Sequence, residues 1–143
     1  MARTRRAKLP TQLHATSLEI AFRRIWQMVN KTEHQPIYQF RPCLPRQFRV
    51  DAAFPHVRLA IELEGGIWLR DRNKGHASPK ELLASMLKNN WMVVHGWRIL
   101  RYEAGDLEKR PVQVVEEILD VIERSRVWGP MQKPLPLDGE LKC

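Results

Sequence analysis

Three carboxylates lie on two short segments whose residues alternate between apolar and polar. Asp51 belongs to QFRVDAAF, and Glu62 and Glu64 belong to LAIELEGG. Side chains of a strand alternate between its faces, so a tight hairpin joining the segments would place Asp51 opposite Glu62. Opposed like charges destabilise a sheet unless a cation lies between them, and Mg²⁺ suits one or two carboxylates completed by water and phosphate oxygens. The spacing predicts a divalent-cation site, with a solvated strand face as the alternative.

The hairpin is predicted from its turn and its apolar face. Residues 55–58 form a turn signal between the two segments. In an antiparallel pair closed by this turn, one continuous apolar face is made by Phe54 with Leu59, Ala52 with Ile61 and Val50 with Leu63. The same register places Arg49 opposite Glu64, and the solvated alternative makes these two a surface ion pair.

The charge balance indicates a polyanionic partner. The 143 residues include 24 Lys and Arg against 16 Asp and Glu, which gives a formal charge of +8 and a pI near 10.0. Such a surface attracts phosphate and favours nucleic acid as the partner. Since carboxylates repel phosphate, an acidic cluster in this chain makes most sense if a cation bridges the two.

Length and cysteine content limit the class of protein. A chain of 143 residues accommodates one domain, and Cys43 and Cys143 are too few for a disulfide framework or a zinc site. No apolar run approaches the roughly 18 residues of a membrane span, so we expect a cytoplasmic protein with no membrane partner. We divide the chain into a basic arm (1–15), a domain (16–128) and a proline-containing tail (129–143). The arm either follows a phosphate backbone or adds solubility, and the tail is a candidate docking segment for a protein partner.

The first helix is predicted from Ser17 to about Val29, with Thr16 as its N-cap and apolar residues at helical spacing. Glu19 completes a capping box with Thr16. It also lies at the edge of the apolar arc, so it can point toward the sheet as well.

The second helix is predicted between Ser78, whose cap is followed by Pro79 and Glu81, and Gly96. Six apolar residues are assigned to its buried face: Leu82, Leu83, Met86, Leu87, Val93 and Val94. Asn90 falls in the middle of this face, whereas Lys88 and Ser85 project the other way.

The remaining chain completes an α/β pattern. Residues 31–46 hold three prolines and are predicted to be a loop, residues 97–102 a third strand, and an amphipathic helix opens at Pro111. That helix is predicted to turn inward Val112, Val115, Leu119 and Ile122, and to expose Glu116, Glu117, Asp120 and Glu123. The order helix, strand, strand, helix, strand predicts a small mixed β-sheet flanked by helices.

A cation-rich segment, IWLRDRNKGHASPK, follows the double glycine after the hairpin. A loop of this composition can hold a nucleic-acid strand over the carboxylates, and a flexible charged connection is the alternative. The predicted nucleic-acid-binding residues are Arg49, Trp68, Arg70, Arg72, Lys74, Lys80 and Lys88.

Together these features resemble the PD-(D/E)xK nuclease superfamily. A helix with an inward glutamate, a strand with Asp, a hairpin to E-x-[KED], then a helix and a strand reading GWRILR follow in that order over residues 17 to about 107. Within the superfamily, IELEGGIW followed by HGWRILRYE is most similar to the Vsr-like group of small phage and bacterial endonucleases. The resemblance implies a restriction-endonuclease-like αβββαβ core.

The resemblance also implies Mg²⁺-dependent hydrolysis of DNA phosphodiester bonds, with Mn²⁺ as a substitute. By position, the metal ligands are Asp51, Glu62 and Glu64, of which Glu64 holds the third motif position, and Glu19 supports the metal or its water. His76 is a candidate general acid or base, because imidazole titrates near neutral pH.

Two features depart from the family pattern. The third motif position is often a lysine, and here it is Glu64, so another cation must serve. Lys80 and Lys88 are candidates, but the helical wheel turns Lys88 away from the core, so we rank His76 above it. The structural zinc of the Vsr-like group lacks its ligands here, since Cys43 has no cysteine nearby.

Several substrates are compatible with this sequence. The chain also resembles phage junction-resolving endonucleases, which act as homodimers on branched DNA, and mismatched or single-stranded DNA are equal candidates. With no appended helix-turn-helix or zinc finger, recognition of DNA structure is favoured over recognition of sequence. The alternative class is a non-catalytic nucleic-acid-binding protein with a degenerate nuclease fold, whose binding weakens with salt and needs no metal.

Overall fold

Four strands form one mixed sheet in the order β1-β2-β3-β4. The computed structural model describes residues 16–43, 46, 48–65 and 78–127. Its elements are α1 (Ser17–Val29), β1 (Ile37–Phe40), β2 (Val50–Phe54), β3 (Leu59–Glu64), α2 (Pro79–Val94), β4 (Arg98–Glu103), α3 (Ala104–Lys109) and α4 (Pro111–Val127). The first three strands pair antiparallel, and β4 runs parallel to β3. The small mixed sheet flanked by helices is therefore confirmed, with the element order αβββαβ followed by two more helices.

The β2–β3 hairpin has the predicted register. Its paired residues are Phe54 with Leu59, Ala53 with Ala60 and Ala52 with Ile61. A single 3-10 turn, Pro55–Val57, joins the strands, and Arg58 then adopts the left-handed conformation with φ 49°. Beyond these pairs the Leu63 N–H donates to the Asp51 carboxylate. Val50 and Leu63 pack against different cores, so the prediction that they share one face is wrong.

Residues 31–46 are not wholly a loop, because they contain β1. This edge strand pairs with β2 through Ile37 with Ala53, Tyr38 with Ala52 and Phe40 with Val50. Pro36 and Pro42 lie just outside the strand and leave its backbone free to pair. Gln39 has a positive φ of 53°, so β1 is not a regular strand. A regular alternation of apolar and polar residues therefore does not mark it in the sequence.

The sheet separates two cores. The main core lies between the sheet and α1, α3 and α4, and its fully buried side chains include Phe22, Trp26, Phe54, Ile61, Val115 and Ile122. The second core, on the opposite side of the sheet, is smaller and consists of Val50, Ala53, Ala60 and Met92. Both faces of the sheet are thus covered, and α2 is the helix on the second side.

The second helix begins and ends where predicted, but the face that was predicted to be buried is exposed. Ser78 and Glu81 form its capping box, and Gly96 follows its C-cap with φ 78°. The residues expected on the buried face are between 51% and 65% exposed: Leu82, Leu83, Met86, Leu87, Val93 and Val94. Asn90 is exposed with them, and Met92 anchors the helix to the second core. The prediction of the buried face of α2 is therefore wrong.

The last two helices pack on the main core. Helix α3 was not predicted, because its six residues are too few to show a clear apolar period in the sequence. In α4, Val114 and Ile118 are fully buried together with Val115 and Ile122, whereas Val112 is 45% exposed, contrary to prediction. The acidic side chains Glu116, Glu117, Asp120 and Glu123 are exposed as predicted. Among them, Glu117 accepts a hydrogen bond from the Tyr102 hydroxyl and so ties α4 to β4.

The basic arm and the tail lie outside the described residues. Within the part of the chain that the structure describes, no helix is long and apolar enough to cross a membrane.

Candidate functional site

Asp51 and Glu62 lie on adjacent strands at one end of the sheet. Asp51 is the second residue of β2, and Glu62 precedes the last two residues of β3. The Asp51 Oδ2 atom accepts the Leu63 N–H at 2.7 Å, which fixes the Asp51 carboxylate against the backbone of β3. The two carboxylates lie near each other, since the charge of Glu62 is among the causes that raise the pKa of Asp51.

Glu19 joins the two carboxylates from the first turn of α1. Its Oε2 atom accepts the Thr16 N–H at 3.2 Å, and the Thr16 hydroxyl accepts the Glu19 N–H at 3.3 Å, so the predicted capping box forms. The Glu19 carboxyl is buried and also lies within hydrogen-bonding reach of Asp51. Both sequence predictions for Glu19 therefore hold together, because one side chain caps the helix and faces the sheet.

The electrostatic cost of this arrangement falls on Asp51. Burial raises its pKa, the Leu63 hydrogen bond opposes the rise, and the charges of Glu62 and Glu19 add to it, with a resulting pKa of about 6. A carboxyl group with this pKa is disfavoured in its charged form, first by burial and then by the neighbouring negative charges. The cluster Glu19, Asp51 and Glu62, which we call the acid cluster, therefore gains from any cation placed beside it.

One such cation is present, and sequence reasoning placed it elsewhere. Lys88 Nζ lies 2.6 Å from Glu62 Oε1 and 3.1 Å from the Arg49 carbonyl oxygen. The two charged side chains are only 16% and 12% exposed. The prediction that Lys88 turns away from the core is wrong, because α2 directs its polar side inward and its apolar side outward. Lys88 therefore lies at the acid cluster and comes from α2.

The donors of the acid cluster fit a hard cation with few protein ligands. Among the described residues, no three His, Cys, Asp or Glu side chains converge closely enough to form a metal-binding group. Mg²⁺ commonly takes only one or two carboxylates and keeps several waters, and Asp51 and Glu62 supply oxygen donors of that kind.

The other predicted residues are not equally close to the acid cluster. Glu64 contacts Arg101 of β4 at 3.5 Å, and both side chains are about two fifths exposed. Lys80 lies in the exposed first turn of α2. Trp68, Arg70, Arg72, Lys74 and His76 lie outside the described residues, so their predicted roles stay predictions.

Two residues that sequence reasoning missed lie near the acid cluster. Arg41 and Phe48 line a cleft together with Arg49 and Lys88. Arg41 directly follows β1, and Phe48 precedes β2. Recognition of β1 was the signal that could have found them, since it places both residues at the same end of the sheet as Asp51.

Two curated proteins of Mycobacterium tuberculosis are similar to this chain. Both are described as uncharacterized, one from strain CDC 1551 / Oshkosh and one from strain H37Rv. Each is 32% identical over 84 residues, which covers 57% of this chain and 28% of the relative. The match therefore spans less than a third of the length of these relatives. No family model matches the chain, and no solved structure matches it.

Proposed function

We propose that this chain is a metal-dependent DNA endonuclease of the PD-(D/E)xK type that hydrolyses phosphodiester bonds and recognises DNA structure more than sequence. The observation that carries the proposal is the mostly buried contact of Lys88 with Glu62 beside Asp51 and Glu19, four charged residues from four different elements. Glu19 comes from α1, Asp51 from β2, Glu62 from β3 and Lys88 from α2. A carboxyl group with a raised pKa, such as Asp51, among other charged side chains is typical of catalytic sites. The formal charge of +8 supports DNA as the partner.

Asp51 and Glu62 are the residues that we assign to hold Mg²⁺. When bound, such an ion polarises the scissile phosphate and lowers the pKa of water. Because Glu64 is engaged by Arg101, we assign it to the edge of the site instead of the ligand set. Glu19 holds its carboxyl against Asp51 and so orients that ligand.

Lys88 takes the part of the lysine that is absent from the third motif position. Its ammonium group is fixed by two acceptors, the Glu62 carboxylate and the Arg49 carbonyl oxygen. A preorganised charge of this kind stabilises negative charge that develops on phosphate oxygens. A cytoplasmic location belongs to this proposal, since a chain with two cysteines needs no oxidising compartment.

The decisive experiment is a cleavage assay with single-stranded, duplex, mismatched and four-way-junction DNA, in Mg²⁺, in Mn²⁺ and in EDTA. Wild type is expected to cut only with the metal, and Asp51→Asn to lose more than about 100-fold of the rate. Lys88→Met is expected to lose about 10²- to 10³-fold, as for other preorganised charges. Asp120→Asn and Lys109→Met remove the same charges from exposed positions on α4 and α3 and should cut like wild type.

Two outcomes would contradict the proposal. If wild type binds every DNA but cuts none in either metal, the protein belongs to the alternative class of non-catalytic nucleic-acid binders. If Asp51→Asn cuts as fast as Asp120→Asn, the hydrolysis does not depend on the acid cluster.

A further inference from the structure

A cleft of about 580 Å³ lies beside the acid cluster. The polar side of α2 forms one wall through Glu81, Ser85 and Lys88, and the segments flanking β1 and β2 contribute Arg41, Phe48 and Arg49. This volume is within the range of small-molecule sites, roughly 300–1,000 Å³. It suits a ligand of the size of a nucleotide.

The charges of the cleft suit an anion. Within the described part of the chain, the Arg41 and Arg49 side chains form no ion pair. The opposite charge in the cleft, Glu81, is already engaged because its carboxylate accepts the Ser78 N–H at 2.8 Å. Two guanidinium groups therefore face the cleft with donors suited to phosphate oxygens.

The cleft also contains an aromatic surface. Phe48 is held from behind by Trp91, with ring centroids 5.9 Å apart and planes inclined by 58°. The Arg46 guanidinium lies over the Phe48 ring, 5.5 Å from its centre, so a base that stacks on this face takes the place of Arg46. Cations that follow a backbone and an aromatic ring on which a base can stack are the two components of single-strand binding sites.

Lys88 connects the cleft with the acid cluster. The side chain lines the cleft, and its ammonium group lies 2.6 Å from Glu62. A strand held in the cleft would thus place a phosphate near the carboxylates, with the Lys88 side chain between them.

We propose that this cleft binds one unpaired nucleotide of a DNA strand, with its base on Phe48 and its phosphates on Arg41 and Arg49. The substrate of the enzyme is then DNA that contains a single-stranded segment. The cutting of that substrate rests on the proposed function, whereas the binding does not.

The binding is tested on the full-length wild-type chain in EDTA, where no cutting occurs, by the fluorescence anisotropy of a labelled oligo-dT strand and of its duplex. The single strand is expected to bind more tightly. Phe48→Ala should weaken single-strand binding by about 5- to 150-fold, the usual range for one stacked base, and leave duplex binding unchanged. Phe48→Tyr keeps the ring and should bind like wild type, whereas Phe48→Leu fills the space without a ring and should bind like Phe48→Ala.

Arg41→Ala tests the phosphate contacts without touching the core, because Arg41 is exposed. It should weaken single-strand binding, whereas Arg24→Ala, which removes the same charge from the exposed side of α1, should not. Equal binding of strand and duplex, equal effects of Arg41→Ala and Arg24→Ala, wild-type binding by Phe48→Leu, or tighter binding of RNA of matching sequence would each overturn the proposal.

The two proposals fail separately. Selective single-strand binding that depends on Phe48 and Arg41, in a protein that cuts nothing in Mg²⁺ or Mn²⁺, would leave the cleft and remove the nuclease. Metal-dependent cutting with unchanged strand binding in both variants would leave the nuclease and remove the cleft.

Discussion

The negative charges of the acid cluster affect Lys88 and Asp51 in opposite ways. They attract the ammonium group of Lys88 and destabilise the charged form of Asp51. Lys88 neutralises Glu62 within an ion pair that is mostly buried. Loss of one partner from such a pair leaves an uncompensated charge, at a cost of about 3–5 kcal/mol in a fully buried site. Asp51 has the Leu63 N–H as its fixed donor and two carboxylates beside it. The metal-free protein therefore stores its electrostatic strain mainly at Asp51.

This strain predicts how the stability of the metal-free protein depends on pH. The pKa of Asp51 rises from an ordinary value of 3.8 to about 6 in the folded chain. Between these values the folded state holds a proton that the unfolded state has lost, so stability falls as the pH rises through this window and stays low above it. Asp51→Asn should remove the fall and stabilise the protein at pH 7 by on the order of 1–2 kcal/mol, after allowance for solvent screening.

Urea denaturation in EDTA at several pH values measures this effect, with Asp120→Asn as the control for loss of an exposed carboxylate. An Asp51→Asn protein that is less stable than Asp120→Asn at pH 7 would contradict the prediction that the Asp51 charge destabilises the fold.

At the scale of the elements, α2 separates what a sequence pattern can predict from what it cannot. Ser78, Pro79 and Glu81 predicted where the helix begins, since capping is chemistry between near neighbours. Its orientation depends on distant partners, namely the acid that Lys88 reaches and the second core that holds Met92. Most apolar residues of α2 are exposed and Met92 is the buried anchor. The helical wheel follows the majority of the apolar residues and therefore predicted the wrong face.

The exposed side of α2 is expected to contribute little to the free energy of folding, because its apolar side chains are more than half exposed. Met92→Ala should cost about 2–5 kcal/mol, because Met92 is fully buried. Leu87→Ala, on the same helix but 65% exposed, should change the free energy of unfolding by no more than about 0.5 kcal/mol. Both are read from urea unfolding curves. A cost for Leu87→Ala that approaches the cost for Met92→Ala would mean that another part of the protein covers this side of α2.

The candidate site was predictable to a similar extent. The period-two pattern and the turn predicted the β2–β3 register, and with it the approach of Asp51 to Glu62. Local chemistry also predicted that Glu19 caps α1. The cleft was not predictable, since it requires β1 and the inward side of α2, and neither follows from the periodicity of its own segment.

At the scale of the whole molecule, the main core and the cleft lie on opposite sides of the sheet. The main core joins α1, α3 and α4 to one face of the sheet. The cleft and Lys88 belong to the opposite side, where α2 covers the second core. The acid cluster lies at the sheet end between these two sides, reached by Glu19 from one and Lys88 from the other. Cations that attract DNA should therefore act from the cleft side and not from the helices of the main core.

The basic arm is expected to contribute to DNA binding, because residues 1–15 carry four cations and no acid. The arm variant replaces Arg3, Arg5, Arg6 and Lys8 by Ala. The control variant removes as many exposed cations from the helical side: Arg24, Lys31, Lys109 and Arg124. If the arm lies along DNA, each lost phosphate contact lowers the slope of log K against log salt by about 0.7–0.9, so the arm variant loses up to about 3.6 in slope. The control variant should keep the wild-type slope. Anisotropy titrations over a range of NaCl concentrations measure both, and equal slopes for the two variants would reduce the arm to a general source of charge.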